Sequence, residues 1–254
     1  MRSTLVHLFG FRAMLVHGDT GVLDRYVWLS NRLRKTDQVK TLIDVGCGSG
    51  AFTIGAALRG YECVGLDVVE NNILKARERG RLLGVSRAFF EALDVSRLEE
   101  RGDLLNRFDT AICLEVVEHI LDDRRFVRDV AACLKPGGRL LLTTPNLEYR
   151  AITRGDNGPW PQDGGGHKRK GYDEDKLVKL ILQAGLICDG ISWCTGFLSQ
   201  KITWISRTFG RLHPFVGWAV ILPLRIVPPL FDPWLTRVVR WPWFSICVEA
   251  HKPN

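Results

Sequence analysis

The chain has no Cys-x-x-Cys pair, and its seven cysteines make an odd, scattered set. That pattern argues against a disulfide framework and for reduced thiols in a cytosolic protein, with Cys47 and Cys63 inside what read as core βα segments. No small-residue cleavage site follows the N-terminal LVHLFGFRAMLV, whose apolar run is broken by His7 and Arg12, so a signal peptide is not expected. There is no internal repeat and no low-complexity tract. Nor is there a clean spanning segment: the longest apolar stretch, about seventeen residues from Phe215 to Phe231, contains Pro223, Arg225, Pro228 and Pro229. Acids are missing altogether from Gly190 to Phe231.

What is present suits one generous α/β domain. The 254 residues are 46% hydrophobic and 25% charged, enough for a core and a soluble surface. The net charge of +7 is unevenly placed, because Gly190 to Asn254 holds seven Lys or Arg against two acids, with six of the eight tryptophans. Something chemically different begins near residue 197.

From 41 to 146, β-rich runs alternate with helical stretches, as in a parallel sheet built of βαβ units. The spacing predicts strands TLIDVG, YECVGLD, AFFEALDV, FDTAICLE and RLLLTTP, then ICDGISWCTG and FSICVEAHKP, seven in all. Helices are expected over AFTIGAALRG, ENNILKARERGRLLG, DDRRFVRDVAACLK and EDKLVKLILQAGL, with VLDRYVWLSNRLRK lying ahead of the first strand as a cap. Lys135-Pro136-Gly137-Gly138 is expected to stop a helix and turn the chain. A glycine- and proline-containing loop is expected from Gly155 to Gly171. The expected division is a helical cap over 1–40, a core over 41–196, an apolar, basic insertion over 197–243 and a last core strand over 244–254.

The turn after the first strand reads D-V-G-C-G-S-G, in which glycines let backbone N–H groups approach a ligand as the next helix begins. Alone it is ambiguous, since Gly46-Cys47-Gly48-Ser49-Gly50-Ala51 also satisfies the G-x-G-x-x-A form of the dinucleotide fingerprint. An acid ending the second strand, Asp67, serves a ribose in either case.

Five motifs in order, LIDVGCGSG, VGLDVVENNILKAR, ALDV, FDTAICLEVVEHI and LKPGGRLLLTTPN, resemble the class I S-adenosylmethionine-dependent methyltransferases, especially the ubiquinone-biosynthesis O-methyltransferase branch, over about residues 40 to 190. The resemblance implies a Rossmann-like seven-stranded, mostly parallel sheet with helices on both faces and the last strand antiparallel. It implies S-adenosylmethionine as cofactor, with Asp44, Gly46, Cys47, Gly48 and Gly50 around its amino acid part and Asp67 on the ribose. Asp94 would take the adenine amino group, Val68 and Val95 would pack the ring, and Leu114 and Glu115 would line the sulfonium. A helix N-cap is the competing role for Asp94.

Glu115-Val116-Val117-Glu118-His119 follows the fourth strand where a helix should begin, and positions i, i+3 and i+4 share a helix face. Two carboxylates and an imidazole suit Mg²⁺, Mn²⁺ or Zn²⁺, with His167 as the further ligand that the resemblance suggests. A cation gripping vicinal hydroxyls would acidify the attacking one. The alternative is a metal-free site in which His119 or His167 acts as general base. The fourth strand is not followed by an N/D-P-P-Y/F motif of the kind that holds an exocyclic amine, so oxygen is the expected acceptor atom.

The insertion interleaves tryptophan with arginine, as a segment at an anionic membrane surface does. A lid over the acceptor and a protein interface are its other readings. It is richer in Ile, Leu, Val and Pro than in Lys, Ser or Gly, which points away from nucleic acid. The expected acceptor is a small-molecule, lipid-like or lipid-linked hydroxyl, and the expected location is the cytoplasm, peripheral to the inner face of the membrane. RNA ribose and a non-catalytic binding module are the alternatives. Oligomeric state is not legible.

Overall fold

The computed structural model describes residues 6–7, 10–17, 20–153, 156, 158, 166–211, 214–226 and 228–254. Of the loop expected over 155–171, residues 155, 157 and 159–165 lie outside the described set.

Seven strands form one sheet: β1 (Lys40–Val45), β2 (Tyr61–Asp67), β3 (Ala88–Ala92), β4 (Phe108–Leu114), β5 (Leu134–Pro145), β6 (Ile187–Cys194) and β7 (Ser245–His251). Their spatial order is β3-β2-β1-β4-β5-β7-β6. Neighbours from β3 to β5 run parallel, whereas β7 is antiparallel to both β5 and β6. The order reverses at β1, so the clefts outside the carboxyl ends of β1 and β4 form the switch point where such sheets bind ligands.

Strand periodicity of two sorts the core onto two faces. Ile43 and Val45, Ala111 and Cys113, Leu140 and Leu142, and Ile246 and Val248 join one cluster with Phe126, Val127 and Val130 of α5 (Asp123–Cys133) and Leu177 and Leu180 of α6 (Glu174–Gln183). Leu42, Ile112, Leu141 and Cys247 point the other way. They meet Trp28 and Leu29 of α2 (Thr20–Ser30), which follows the short α1 (Arg12–His17), and Ala56 and Ala57 of α3 (Ala51–Ala57). The remaining crossover helix is α4 (Glu70–Leu82).

Lys135-Pro136-Gly137-Gly138 does not separate helix from strand as expected. β5 begins at Leu134, pairs it with Phe108, and shifts register before Thr110 meets Arg139. The bulge absorbs Pro136, which has no N–H to offer a ladder.

The stretch 197–243 is helical: α7 (Phe197–Gly210), α8 (Pro214–Ile221), a 3-10 turn (Pro223–Ile226) and α9 (Pro228–Val238). Gly196 opens it because a Cβ there would stand 2.1 Å from Thr236 Oγ1. Asp232 Oδ1 and Oδ2 accept the backbone N–H groups of Leu198 and Ser199 at 2.7 and 3.2 Å, a side chain from α9 satisfying the orphan donors of α7. Thr20 Oγ1 donates to Ser199 O at 2.8 Å and Arg225 to Leu15 O at 3.3 Å, so the insertion and the N-terminal helices form one helical layer. No described helix is long and apolar enough to cross a membrane.

Candidate active site

β1 leaves the sheet through a loop that Asp67 organises. Gly46 and Cys47 both donate their N–H to Leu66 O at 2.8 Å, and Gly48 N–H donates to Asp67 Oδ2 at 2.9 Å. Asp67 Oδ1 accepts from Val69 N at 2.9 Å and Asn72 Nδ2 at 3.2 Å. Three donors therefore hold the ends of two adjacent strands together, with the carboxylate at their junction.

Gly46 has φ +81, and a Cβ there would lie 2.3 Å from Val116 Cγ2, so no other residue fits. Gly48 has φ +52 and, among the described residues, nothing within 4 Å of its Cβ position, leaving space on that side of its Cα for a ligand. The loop opens onto a cavity of about 270 Å³ whose lining includes Val6 and Met14 opposite Gly46, Cys47 and Gly48. The N-terminal segment is thus its outer wall.

Asp44 lies under this loop, 1% exposed, accepting from Thr53 Oγ1 at 2.6 Å. Burial pushes its carboxyl up to about 7. Val68 is 65% exposed beside Asp67, forming an open apolar ledge. Leu114 and Val95 are buried, Val95 within the main core. Asp94 Oδ1 accepts from Ser96 N and Ser96 Oγ, capping the 3-10 stretch Val95–Glu100. The capping role is the one formed here, and β3 accordingly ends at Ala92.

The helix expected to start at Glu115 does not form. Glu115 sits at φ +59, a strained position for a residue with a side chain, and only a 3-10 turn, Val117–His119, follows. Tertiary contacts override the local pattern: Glu115 N–H donates to Thr143 O at 2.9 Å, while its Oε1 accepts from Thr143 Oγ1 and Ser245 Oγ at 2.9 and 3.0 Å. Its Oε2 faces Arg25 of α2 at 3.6 Å. Glu115 is thus held by these partners and is not one of the three residues whose ligand atoms cluster, although its charge still acts on Glu118 and His167.

The other three members do meet. Glu118, His119 and His167 each offer a ligand atom, all within 4.8 Å of one another. Glu118 is 1% exposed and accepts from Thr144 Oγ1 at 3.2 Å. The rings of His119 and His167 meet edge to face, centroids 4.5 Å apart. Lys168 N–H donates to Glu118 O at 2.8 Å, and Arg169 donates to Val117 O and Leu121 O, pinning the His167 segment onto the turn. Burial, then the neighbouring Glu115 charge, raises Glu118 well above the usual carboxylate range. Burial, then His119, lowers His167, which favours its neutral imidazole.

A methyltransferase domain model matches residues 24–189. The chain belongs to this methyltransferase family. It is 34% identical over 113 residues to a protein named ubiquinone biosynthesis O-methyltransferase from Marinobacter nauticus, covering 44% of this chain and 47% of that one. The chain spans about half the length of the curated relatives it matches first, 47% and 53% of two of them. Among solved structures, phosphoethanolamine N-methyltransferase 2 of Haemonchus contortus, in complex with S-adenosyl-L-methionine, superposes with TM-score 0.68 at 17% identity over 97% of this chain and 57% of that one. A SAM-dependent methyltransferase from Aquifex aeolicus gives 0.55 at 15% identity, covering 90% of each chain. At such identities these two likenesses establish the fold.

The methyltransferase loop fits the cofactor of its family. The open side of Gly48, the Asp67 carboxylate at the strand junction and the exposed Val68 ledge suit an amino acid, a ribose and a base in turn, and a positively charged ligand favours ionised Asp44. The cluster suits a divalent cation, since two imidazoles and one carboxylate leave further coordination positions for other oxygens. Arg25, Thr143, Thr144 and Ser245 arrange the acids of this methyltransferase site; Thr143 and Thr144 lie within the motif LKPGGRLLLTTPN but had no role assigned there, and Arg25 and Ser245 lie outside every motif. Their partners are distant in sequence, and only the TT pair after a parallel-strand run offered a hint.

Proposed function

We propose that the protein transfers the sulfonium methyl of S-adenosylmethionine to a hydroxyl oxygen of a lipid-like or lipid-linked acceptor. The observation that carries this reading is the juxtaposition of the two loops: Val116 touches the Gly46 position of the donor loop, and Glu118 and His119 follow within three residues. Donor and acceptor chemistry thus lie side by side at the carboxyl ends of β1 and β4.

On this reading the chain works mainly by alignment. The Gly46–Gly50 loop and Asp67 fix the donor, and the Glu118, His119 and His167 cluster receives the hydroxyl. When bound, a divalent cation held by these three residues would lower the pKa of the acceptor hydroxyl. His167, whose burial favours the neutral imidazole, is suited to take the proton in a metal-free site. The oxygen acceptor is supported by this donor set and by the name of the relatives. The greasy acceptor is supported by the apolar helical layer over the same end of the sheet.

Incubating the protein with methyl-labelled S-adenosylmethionine and either an organic membrane extract or total RNA tests the proposal. Label should enter the organic phase, fall in chelator and recover with added cation. Label in RNA alone would transfer the acceptor to ribose, and label unaffected by chelator would leave the histidine base without a metal.

A further inference from the structure

The helical layer presents apolar side chains outward. Trp204 of α7, Val220 of α8, Leu224 of the 3-10 turn, and Leu230, Phe231 and Trp234 of α9 are all exposed, Leu230 to 68% and Trp234 to 64%. Leu230 and Trp234 stand four residues apart and so share one face of α9. Isolated exposed apolar residues are ordinary, but a concentration on adjacent elements marks a contact surface. The methyltransferase match ends at residue 189, before this layer begins.

Charge says what kind of surface would cover it. Lys201, Arg211, Arg237 and Arg240 are exposed. The only acid between 190 and 243 is Asp232, which is 4% exposed, its carboxylate occupied by the amides of Leu198 and Ser199 and by Thr236 Oγ1. The layer's single negative charge is therefore spent inside it, and its outer side offers cations, rings and aliphatic side chains with no acid among them. Beside Trp204, a cavity of about 340 Å³ is lined by Lys201 and Trp241. Both Lys201 and Arg150 stack on the Trp241 ring at 4.3 Å. Cations held beside indole rings suit a phosphate level with aliphatic chains just below it.

We infer that the outer face of α7–α9 docks the protein onto an anionic phospholipid membrane, with Leu230, Phe231 and Trp234 entering the interface and Lys201, Arg237 and Arg240 meeting the headgroup phosphates. No helix crosses the bilayer in this arrangement; the layer lies on it. Docking does not depend on which atom accepts the methyl group.

The test is co-sedimentation of the intact chain with vesicles of phosphatidylcholine alone or mixed with phosphatidylglycerol, at low and high salt. Binding should require phosphatidylglycerol and weaken as salt rises. R237Q/R240Q should weaken it on the order of 25-fold, each cation near a charged surface contributing about fivefold. L230E/W234E should abolish it, while both variants keep the wild-type circular dichroism and affinity for S-adenosylmethionine. Failure of the wild type to sediment with phosphatidylglycerol at low salt, or sedimentation unchanged in both variants, would overturn the inference. So would a dimer in solution that L230E/W234E dissociates, because the face would then belong to a second copy of the chain.

Discussion

Val116 Cγ2 fills the space that a side chain on Gly46 would need, 2.3 Å from the Cβ position, so the donor loop and the turn after β4 are packed as one body. Gly46→Ala must both hold φ +81 with a Cβ and displace Val116, a left-handed penalty of about 1–2 kcal/mol plus overpacking of about 1–3. Gly48→Ala at φ +52 meets nothing within 4 Å among the described residues and carries the first penalty only. Thermal unfolding should show the larger loss for Gly46→Ala. Calorimetry should show weakened S-adenosylmethionine binding in both, including the less destabilised Gly48→Ala. Undiminished affinity in Gly48→Ala would mean that the ligand does not approach that backbone.

Asp44 and Asp24 are both raised by burial, to about 7 and about 6. Each folded-state pKa lies above its unfolded value, so between about pH 4 and these values the folded protein binds more protons than the unfolded chain. Their contribution is therefore present at low pH and is lost as pH rises through that window. The free protein should lose stability from this source between pH 4 and 7, and Asp44→Asn should flatten part of the slope. A cationic ligand reverses the preference at Asp44, so affinity for S-adenosylmethionine should fall as pH drops below 7. Titration calorimetry at pH 6 and 8 checks the sign, and equal affinities would detach Asp44 from the ligand's charge.

Glu118 links stability and ligation in opposite directions. Its buried carboxylate is costly to ionise without a cation, whereas Gln keeps an acceptor for Thr144 Oγ1 without the charge. Glu118→Gln should leave the cation-free protein as stable as the wild type or more so at pH 8. It should also lose more than about 100-fold in Mn²⁺ or Zn²⁺ affinity, beyond what loss of a supporting contact causes. Thermal shift with and without cation reads both effects. A destabilised variant with unchanged cation response would make Glu118 a structural acid.

Much of the sheet was legible because its strands are short apolar runs separated by glycine turns, and because Asp67 ends a strand and the glycine loop leaves one. The turn at Glu115 was not. Glu115, Glu118 and His119 have helical spacing, yet the Glu115 carboxylate is held by Thr143 and Ser245 and its backbone sits in the left-handed region. Such contacts have no signature in the local pattern. Asp94 differs, because its cap is a local bond to Ser96 and was legible as one of the two roles the sequence offered. The insertion was legible as chemistry but not as shape: its composition marked it as apolar and basic, while the use of Asp232 as an internal cap required the fold.

Arg25 and Glu115 join the helical cap to the fourth strand, with guanidinium and carboxylate 3.6 Å apart and their side chains only 13% and 16% exposed. At that burial the pair is little screened, so losing one partner leaves a poorly solvated charge. Glu115→Gln keeps an oxygen for Thr143 and Ser245 but removes the carboxylate facing the buried Arg25 guanidinium, and should cost about 1–3 kcal/mol. Arg25→Met removes the cation that faces the buried Glu115 carboxylate, and should cost about 1–3 kcal/mol. In the double variant the second loss should be partly cancelled, giving a coupling of about 0.5–2 kcal/mol in denaturant unfolding. Because α2 and the N-terminal segment close over the donor loop, Arg25→Met should also hasten dissociation of S-adenosylmethionine in stopped-flow displacement, an effect Glu115→Gln should share. Strict additivity, with dissociation unchanged in both, would mean that the cap is held by the Thr20 and Arg225 contacts to the insertion and that the ion pair does not latch it.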